Sequence, residues 1–163
     1  MSTIVAIHQP NYLPWPGFFE KMARADVFVI LDNVQLPRGK SYTSRVKIKT
    51  SHGVRWLTVP VLNKGGLQEI REVEIDSHRN WGKKHSRAIQ LAYGRSPHYA
   101  KYIDSIIEVF SANRWTMLAD LNVFLIEIVK AHLGIDTALV RASELKNIEV
   151  GEGQRLIQIV KEI

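Results

Sequence analysis

The sequence contains no cysteine, and this absence excludes two kinds of site. Disulfide bonds cannot form, and thiolate ligands for zinc or iron–sulfur clusters do not exist. Long apolar runs are missing as well, since no stretch approaches the roughly 20 consecutive apolar residues that a membrane-spanning helix needs. The first ten residues, MSTIVAIHQP, have neither the basic start nor the cleavage pattern of a secretory signal. We therefore expect a cytoplasmic protein without a membrane span.

Acidic residues are fewer than basic ones. The 163 residues include 22 Lys and Arg but only 16 Asp and Glu, which gives a net charge of +6 and an isoelectric point near 9.7. A basic balance favours anionic partners such as nucleotides, phosphorylated sugars, nucleic acid or a membrane surface. The length fits one domain over residues 1–163, which should bury roughly 70% of the surface that the unfolded chain exposes.

The first 32 residues predict a βαβ unit. Two apolar runs of strand type, at 4–7 and 27–31, flank a stretch in which Phe18, Met22 and Ala25 fall at helical spacing behind Pro16. A connection of this length can hold the crossover helix that parallel strands require. We therefore predict an α/β fold whose parallel or mixed sheet begins with this unit.

The remaining patterns extend this prediction to three layers, α/β/α. Alternating residues at 44–61 predict an inserted β-hairpin that turns at Gly53, followed by a turn at 63–67 and a further strand at 70–75. Helical periodicity dominates the second half. The predicted elements there are helices at 80–93, 96–110 and 113–133, the last capped by Gly134, then a strand at 137–143 that rejoins the sheet and a final helix within 151–163.

His8 and Asp32 each follow one of the first two strands. If those strands are parallel, both side chains emerge at the carboxyl edge of the sheet, where open α/β sheets bind their ligands. His8 can then act as an acid or base, and Asp32 can orient it. The alternative is structural, with a histidine bonded to the backbone and an aspartate that caps a turn.

Further polar and basic residues surround this edge. Gln9 and Asn11 follow His8 and can bind hydroxyl groups, while Arg45, Lys47 and Lys49 form a row on one face of the first hairpin strand. With Arg38 and Lys40 they make five cations without an acid, and Tyr42 and Trp56 lie near enough in sequence to stack on a base. A solvated strand face and ordinary sheet packing are the alternatives.

Metal and cofactor signals are weak. His78 and His85 share a helical face but have no set of carboxylates near them in the sequence, so we predict no metal site and name no cofactor. Asp120 and Glu127 also share a face, for which a polar network on a buried helix is the commoner explanation.

Several segments together resemble the WbqC-like proteins, which are found among bacterial O-antigen and other polysaccharide biosynthesis genes. They are IHQPNYLPWPGFFEKMARADVFVILDNVQ, SRVKIKT, WLTVPV, HSRAIQLAYGRSPHY, LADLNVFLIEIVKAHLGI and SELKN. Among the matching positions, the side chains suited to a site are His8, Gln9, Tyr12, Asp32, Gln35, Arg45 and Lys49. The chain departs from the family at Asn33, Ser44 and Ala142, where the family has Asp, Asn and Ser. The resemblance also implies that relatives continue past the final helix into a segment that this sequence lacks.

Three functions follow in order of preference. The first is an enzyme, with a transferase as the candidate class, that acts on a nucleotide-linked sugar or another activated sugar or acyl donor with phosphate groups. His8 and Asp32 are its catalytic pair, and Gln9, Asn11, Tyr12, Gln35, Arg45 and Lys49 bind the anionic substrate. The second is a non-catalytic module that binds a partner in the same pathway. The third, nucleic-acid binding, ranks last because the basic face lacks dense aromatic interleaving. The oligomeric state is left open.

Overall fold

The computed structural model describes residues 2–37, 39, 41–62, 67–112, 114–146, 148 and 154–163. Arg38 and Lys40, most of the turn predicted at 63–67, and residues 151–153 of the predicted final helix lie outside the described residues. The strands are β1 (Val5–His8), β2 (Val27–Ile30), β3 (Arg45–Thr50), β4 (Gly53–Thr58) and β5 (Ala138–Arg141). The helices are α1 (Pro16–Ala23), α2 (Trp81–Tyr93), α3 (Tyr99–Ser111), α4 (Leu118–His132) and α5 (Arg155–Glu162).

A parallel sheet with the order β1-β2-β5 forms the centre of the fold. His8 pairs in register with Ile30, and Ile30 pairs with Arg141, so all three strands end at one edge. The predicted parallel pairing of the first two strands is therefore confirmed, and so is the return of the late strand to the sheet.

Helices cover both faces of this sheet, which confirms the three-layer prediction. Phe18 and Met22 of α1 pack with Ile126 of α4 against one face, as the helical spacing of the first two predicted. Ile159 of α5 packs against Val29 on the other face. The sequence of β2, VFVI, is apolar at every position, so both faces of this strand must be covered by other elements.

The predicted hairpin is also present. Strands β3 and β4 pair in antiparallel fashion, and Gly53 adopts a φ of +97° at their turn, a conformation that glycine tolerates best. Ile48 and Leu57 on one face of the hairpin join a second core cluster with Phe110 of α3 and Leu125 of α4. Gly134 has a φ of +65° just after α4, as predicted for its helix cap.

The strand predicted at 70–75 is wrong at its start. Residues Ile70–Glu72 form a short 3₁₀ helix with a capping box at its start. The side chain of Glu69 accepts a hydrogen bond from the backbone N–H of Glu72, and the side chain of Glu72 accepts one from the backbone N–H of Glu69. This helical turn buries both Ile70 and Val73, three positions apart, whereas a strand would direct them to opposite faces. Within the described ranges, no helix combines the length and apolar character that crossing a bilayer would require.

Candidate functional site at the carboxyl edge of the sheet

His8 ends β1 and is half-buried. Its Nδ1 atom lies 2.9 Å from the backbone oxygen of Gln9, and its ring meets the edge of Phe18 at a centroid distance of 5.0 Å. Because a carbonyl oxygen only accepts hydrogen bonds, this contact places a proton on Nδ1. In the neutral ring Nε2 is then the basic nitrogen, which is the state that a general base needs.

Asp32 follows β2 at the same edge, and its side chain is fully buried. Its Oδ2 accepts hydrogen bonds from Nε of Arg141 and from the hydroxyl of Ser143, both at 2.8 Å. Its Oδ1 accepts a bond of 3.0 Å from the backbone N–H of Ser143. His8 and Asp32 thus share an edge, but the groups that fix Asp32 in the described structure come from the end of β5 rather than from His8.

Arg141 joins Asp32 to a second carboxylate. Its Nη1 donates to Oδ1 of Asp120 at 2.7 Å. Partial burial disfavours the charge on Arg141, yet the hydrogen bonds to Asp120 and Asp32 outweigh this effect and raise the pKa of the guanidinium. Neither Arg141 nor Ser143 was predicted as a site residue. Both nevertheless lie in the strand predicted at 137–143 to rejoin the sheet, and a parallel strand there ends at the same edge as β1 and β2.

A cavity of about 440 Å³, here called the loop cavity, opens where the loop after β1 meets the hairpin. Its lining includes Asn11 and Tyr12, two predicted substrate-binding residues, and Lys47 from the row of cations. The other lining residues are Leu13, Pro14, Trp15, Tyr42 and Val46. The tertiary structure therefore joins residues from two distant parts of the sequence in one aromatic, basic pocket.

Trp56 organises the cations beside the loop cavity. The guanidinium carbon of Arg45 lies 3.9 Å from the centroid of the Trp56 ring system, and Nζ of Lys47 lies 5.1 Å from it. The ring of Tyr42 packs against Trp56 at 5.6 Å. The Nε atom of Arg45 is buried and has no hydrogen-bond partner within the described part of the chain. Lys49 is exposed further along the strand and is not among the residues that line the loop cavity.

Tyr12 lines the loop cavity but belongs mainly to the core. Only 1% of its surface is exposed, and its hydroxyl lies 2.8 Å from Nδ1 of His85 on α2. Burial raises the pKa of Tyr12 well above its usual value. A neutral, hydrogen-bonded phenol in this position supports the cavity wall.

Asn122 of α4 fixes the two loops that form the loop cavity. Its Nδ2 donates to the backbone oxygens of Pro10 and Thr43, both at 2.8 Å, and the side chain is fully buried. The backbone N–H of Tyr12 adds a bond of 2.9 Å to the oxygen of Tyr42. Asn122 was not predicted, because its position in a helix that is apolar on nearly every side gave no sign of its partners.

Gln35, another predicted substrate-binding residue, lies at a different cavity. This cavity, here called the edge cavity, has a volume of about 480 Å³ and lies beyond the end of β2. It is lined by Leu31, Asn33, Val34, Gln35, Leu67, Glu69, Arg155 and Leu156. His8 is connected to this region through its backbone oxygen, which accepts a bond of 2.8 Å from the N–H of Leu31.

Metal ligands do not cluster in the described part of the chain, where no three histidine or acidic side chains come together in a group that could hold an ion. Within the same residues, no hydrogen bond joins His8 to Asp32. The functional groups that the structure places at this edge are an imidazole, amides, guanidinium groups, the hydroxyl of Ser143 and the paired carboxylate of Asp32.

Comparisons with known proteins agree with the pattern of motifs. The profile of the WbqC-like protein family matches residues 9–163. The chain is also 36% identical over 159 residues to the uncharacterized protein Rv1507c of Mycobacterium tuberculosis, an alignment that covers 97% of this chain and 68% of that protein. No solved structure matches the chain.

Proposed function

Because this chain belongs to the WbqC-like protein family, we propose that it is a cytoplasmic enzyme of surface-polysaccharide biosynthesis. Its substrate is a nucleotide-linked sugar or another activated donor that carries phosphate groups. The pathway follows from the family likeness alone, and the substrate class follows from the chemistry of the loop cavity.

The observation that carries the proposal is the set of aromatic and cationic side chains at the loop cavity. Tyr42 and Trp15 line the cavity with exposed aromatic rings that can stack on a nucleobase. Lys47 lines it as well, and Arg45 is held beside it by Trp56. A guanidinium group and an ammonium group next to one another suit a diphosphate, for which arginine supplies paired donors. The volume of about 440 Å³ lies within the range of small-molecule sites.

His8 supplies the acid–base chemistry of this proposal. In a transfer reaction, the bond between the transferred group and the donor phosphate breaks, and its electron pair stays on the phosphate oxygen. A nucleophilic O–H or N–H of the acceptor forms the new bond to the transferred group, and its proton passes to Nε2 of His8. The contact between Nδ1 and the backbone of Gln9 keeps Nε2 available for this proton.

Asp32 has a positioning role in this proposal rather than a direct one. Its carboxylate fixes the ends of β2 and β5 through Arg141 and Ser143, and these ends form the rim on which His8 lies. Gln9 follows His8 at the start of the loop, and Asn11 lines the cavity with an amide that can bind ribose or sugar hydroxyls.

Calorimetric titration with nucleoside diphosphates and nucleotide sugars tests the proposal. We expect at least one of them to bind, and Lys47→Ala and Tyr42→Ala to weaken that binding about tenfold or more. A charge-assisted hydrogen bond from Lys47 contributes about 1.5–3 kcal/mol, and stacking of a base on Tyr42 contributes about 1–3 kcal/mol. Arg55→Ala is the matched control. Arg55 is an exposed cation of the same hairpin, but it pairs with Ile48 and so lies on the hairpin face that is opposite to Lys47. Absence of binding by every nucleotide in the panel would remove the proposal.

The half-buried state of His8 favours an enzyme over a partner-binding module. A module of that kind would be expected to bury and fully satisfy this imidazole, whereas among the described residues the ring has a hydrogen-bond contact only from Nδ1 to Gln9. Nucleic-acid binding predicts instead an affinity that falls steeply with salt, which gel shifts at low and high ionic strength would reveal.

A further inference from the structure

The edge cavity contains two buried polar atoms without a hydrogen-bond partner among the described residues. They are Oδ1 of Asn33 and Nε of Arg155. The two side chains belong together, because Nη1 of Arg155 donates to the backbone oxygen of Asn33 at 2.8 Å. Asn33 is held in turn by a bond of 3.4 Å from its Nδ2 to the oxygen of Ala142. Unpaired buried polar groups are rare in native structures and call for an explanation.

Among the described residues that line this cavity, a ligand would meet the cation of Arg155 and several apolar side chains. The guanidinium of Arg155 suits a phosphate or a carboxylate, and Gln35 adds an exposed amide. Glu69 also lines the cavity, but its carboxylate is already paired with Nε of Arg71 at 2.7 Å. The side chains of Leu31, Leu67 and Leu156 supply the apolar surface.

The position of the edge cavity relates it to His8. The backbone of His8 bonds directly to Leu31, which lines the edge cavity, and three residues after His8 the chain reaches Asn11, which lines the loop cavity. His8 therefore belongs to the segment that connects the two cavities. This is where an acid–base group must lie if one substrate occupies each of them.

We infer that the edge cavity binds the acceptor substrate, a small molecule that carries one phosphate or carboxylate group next to an apolar portion. Arg155 holds the anionic group and the side-chain amide of Gln35 donates to it, while Oδ1 of Asn33, which can only accept, receives the O–H or N–H of the acceptor. The identification as acceptor rests on the proposed function, whereas the binding of an anion does not.

Titrations monitored by nuclear magnetic resonance test this site with three probes: inorganic phosphate, butyrate and uridine diphosphate. We expect phosphate or butyrate to bind, and which of the two binds more tightly identifies the anionic group. Arg155→Gln should weaken that binding at least tenfold, Arg155→Lys less, and Lys161→Gln on the same helix should leave it unchanged. Uridine diphosphate should respond to Lys47→Ala but not to Arg155→Gln.

The outcomes separate the two proposals. If a nucleotide binds and neither small anion does, the edge site is overturned while the proposed function stands. If an anion binds and no nucleotide does, the site stands and its role as acceptor site falls with the proposed function. If urea titration shows that Arg155→Gln unfolds the protein, the anion affinity of Gln35→Ala is measured instead. An unchanged affinity overturns the site, and a loss of affinity supports it.

Discussion

The hydroxyl of Tyr12 lies 2.8 Å from Nδ1 of His85, and this contact joins two buried side chains that are 73 positions apart in the sequence. Burial lowers the pKa of His85 to about 4, although its hydrogen bond with the backbone of Thr58 acts in the opposite direction. At neutral pH the phenol therefore donates to a neutral imidazole, and the wall of the loop cavity depends on that protonation state.

Stability should consequently fall in mild acid. The unfolded chain binds a proton at His85 below a pH of about 6.5, whereas the folded chain does so only below about 4. Protonation of His85 therefore does not reduce stability above pH 6.5, whereas the free energy of unfolding falls as the pH drops towards 4, where the loss reaches about 3 kcal/mol. Urea unfolding at pH 7, 5.5 and 4.5 should show a weaker pH dependence for His85→Gln than for wild type. His52→Gln, in the exposed hairpin turn, serves as control, and equal slopes in wild type and His85→Gln would contradict the prediction.

Asp32→Asn should destabilise the fold strongly. The change removes the negative charge that Arg141 and Ser143 bind, and it can place the NH₂ group of the new amide against the donors of these two side chains. We therefore expect a loss of about 3–5 kcal/mol in the free energy of unfolding. Ser143→Ala should cost about 1–3 kcal/mol, since it removes only one of the bonds. Denaturant titration measures both, with the exposed Asp104→Asn as control. A stable but inactive Asp32→Asn protein would instead indicate direct participation in catalysis.

Asn122 provides a test of how the loop cavity is held together. Asn122→Asp keeps the shape of the side chain but directs a carboxylate at the backbone oxygens of Pro10 and Thr43. We expect it to be more destabilising than Asn122→Ala, which leaves the two buried oxygens unpaired at a cost of about 1–3 kcal/mol each. Thermal unfolding compares the two variants. If the aspartate proved the milder change, the donor role assigned to Nδ2 would be wrong.

His8→Gln should separate binding from chemistry. The ring of His8 is half-buried and, among the described residues, has one hydrogen-bond contact, to Gln9, and one ring contact, with Phe18. The free energy of unfolding should therefore change by about 1 kcal/mol or less. Turnover of a nucleotide sugar that binds in calorimetry should fall by about 10²- to 10⁴-fold, the usual contribution of a general acid or base. Mass-spectrometric detection of the product measures it, with the exposed His98→Gln as control. Full turnover by His8→Gln would show that another group moves the proton.

Local patterns predicted elements better than they predicted partners. Pro16 begins α1, Gly53 turns the hairpin and Gly134 follows α4, because each of these residues limits or permits a backbone conformation whatever surrounds it. The segment at 70–75 was predicted wrongly at its start because burial, not a local backbone preference, decided its conformation. Val73, Glu74 and Ile75 alternate as in a strand, but Ile70 and Val73 are three positions apart, and burying both required a helical turn.

The candidate site shows the same division. The pattern of the first 32 residues placed His8 and Asp32 at one edge, since parallel strands must end together. The same pattern did not predict the roles of Arg141 and Ser143. These residues lie more than 100 positions further along the sequence and contact Asp32 because β5 pairs with β2.

The sequence by itself determined the βαβ opening, the hairpin and the identity of the polar residues at the strand ends. The spacing of apolar residues, the residues that form turns and the length of each connection are all local properties. Only the tertiary structure decided how those residues are distributed: Asn11 with Lys47 at the loop cavity, Gln35 with Arg155 at the edge cavity, and Asp32 in a buried ion pair. The physical reason is that strand order and helix docking are set by the burial of apolar faces across the whole chain, and polar partners follow from that packing.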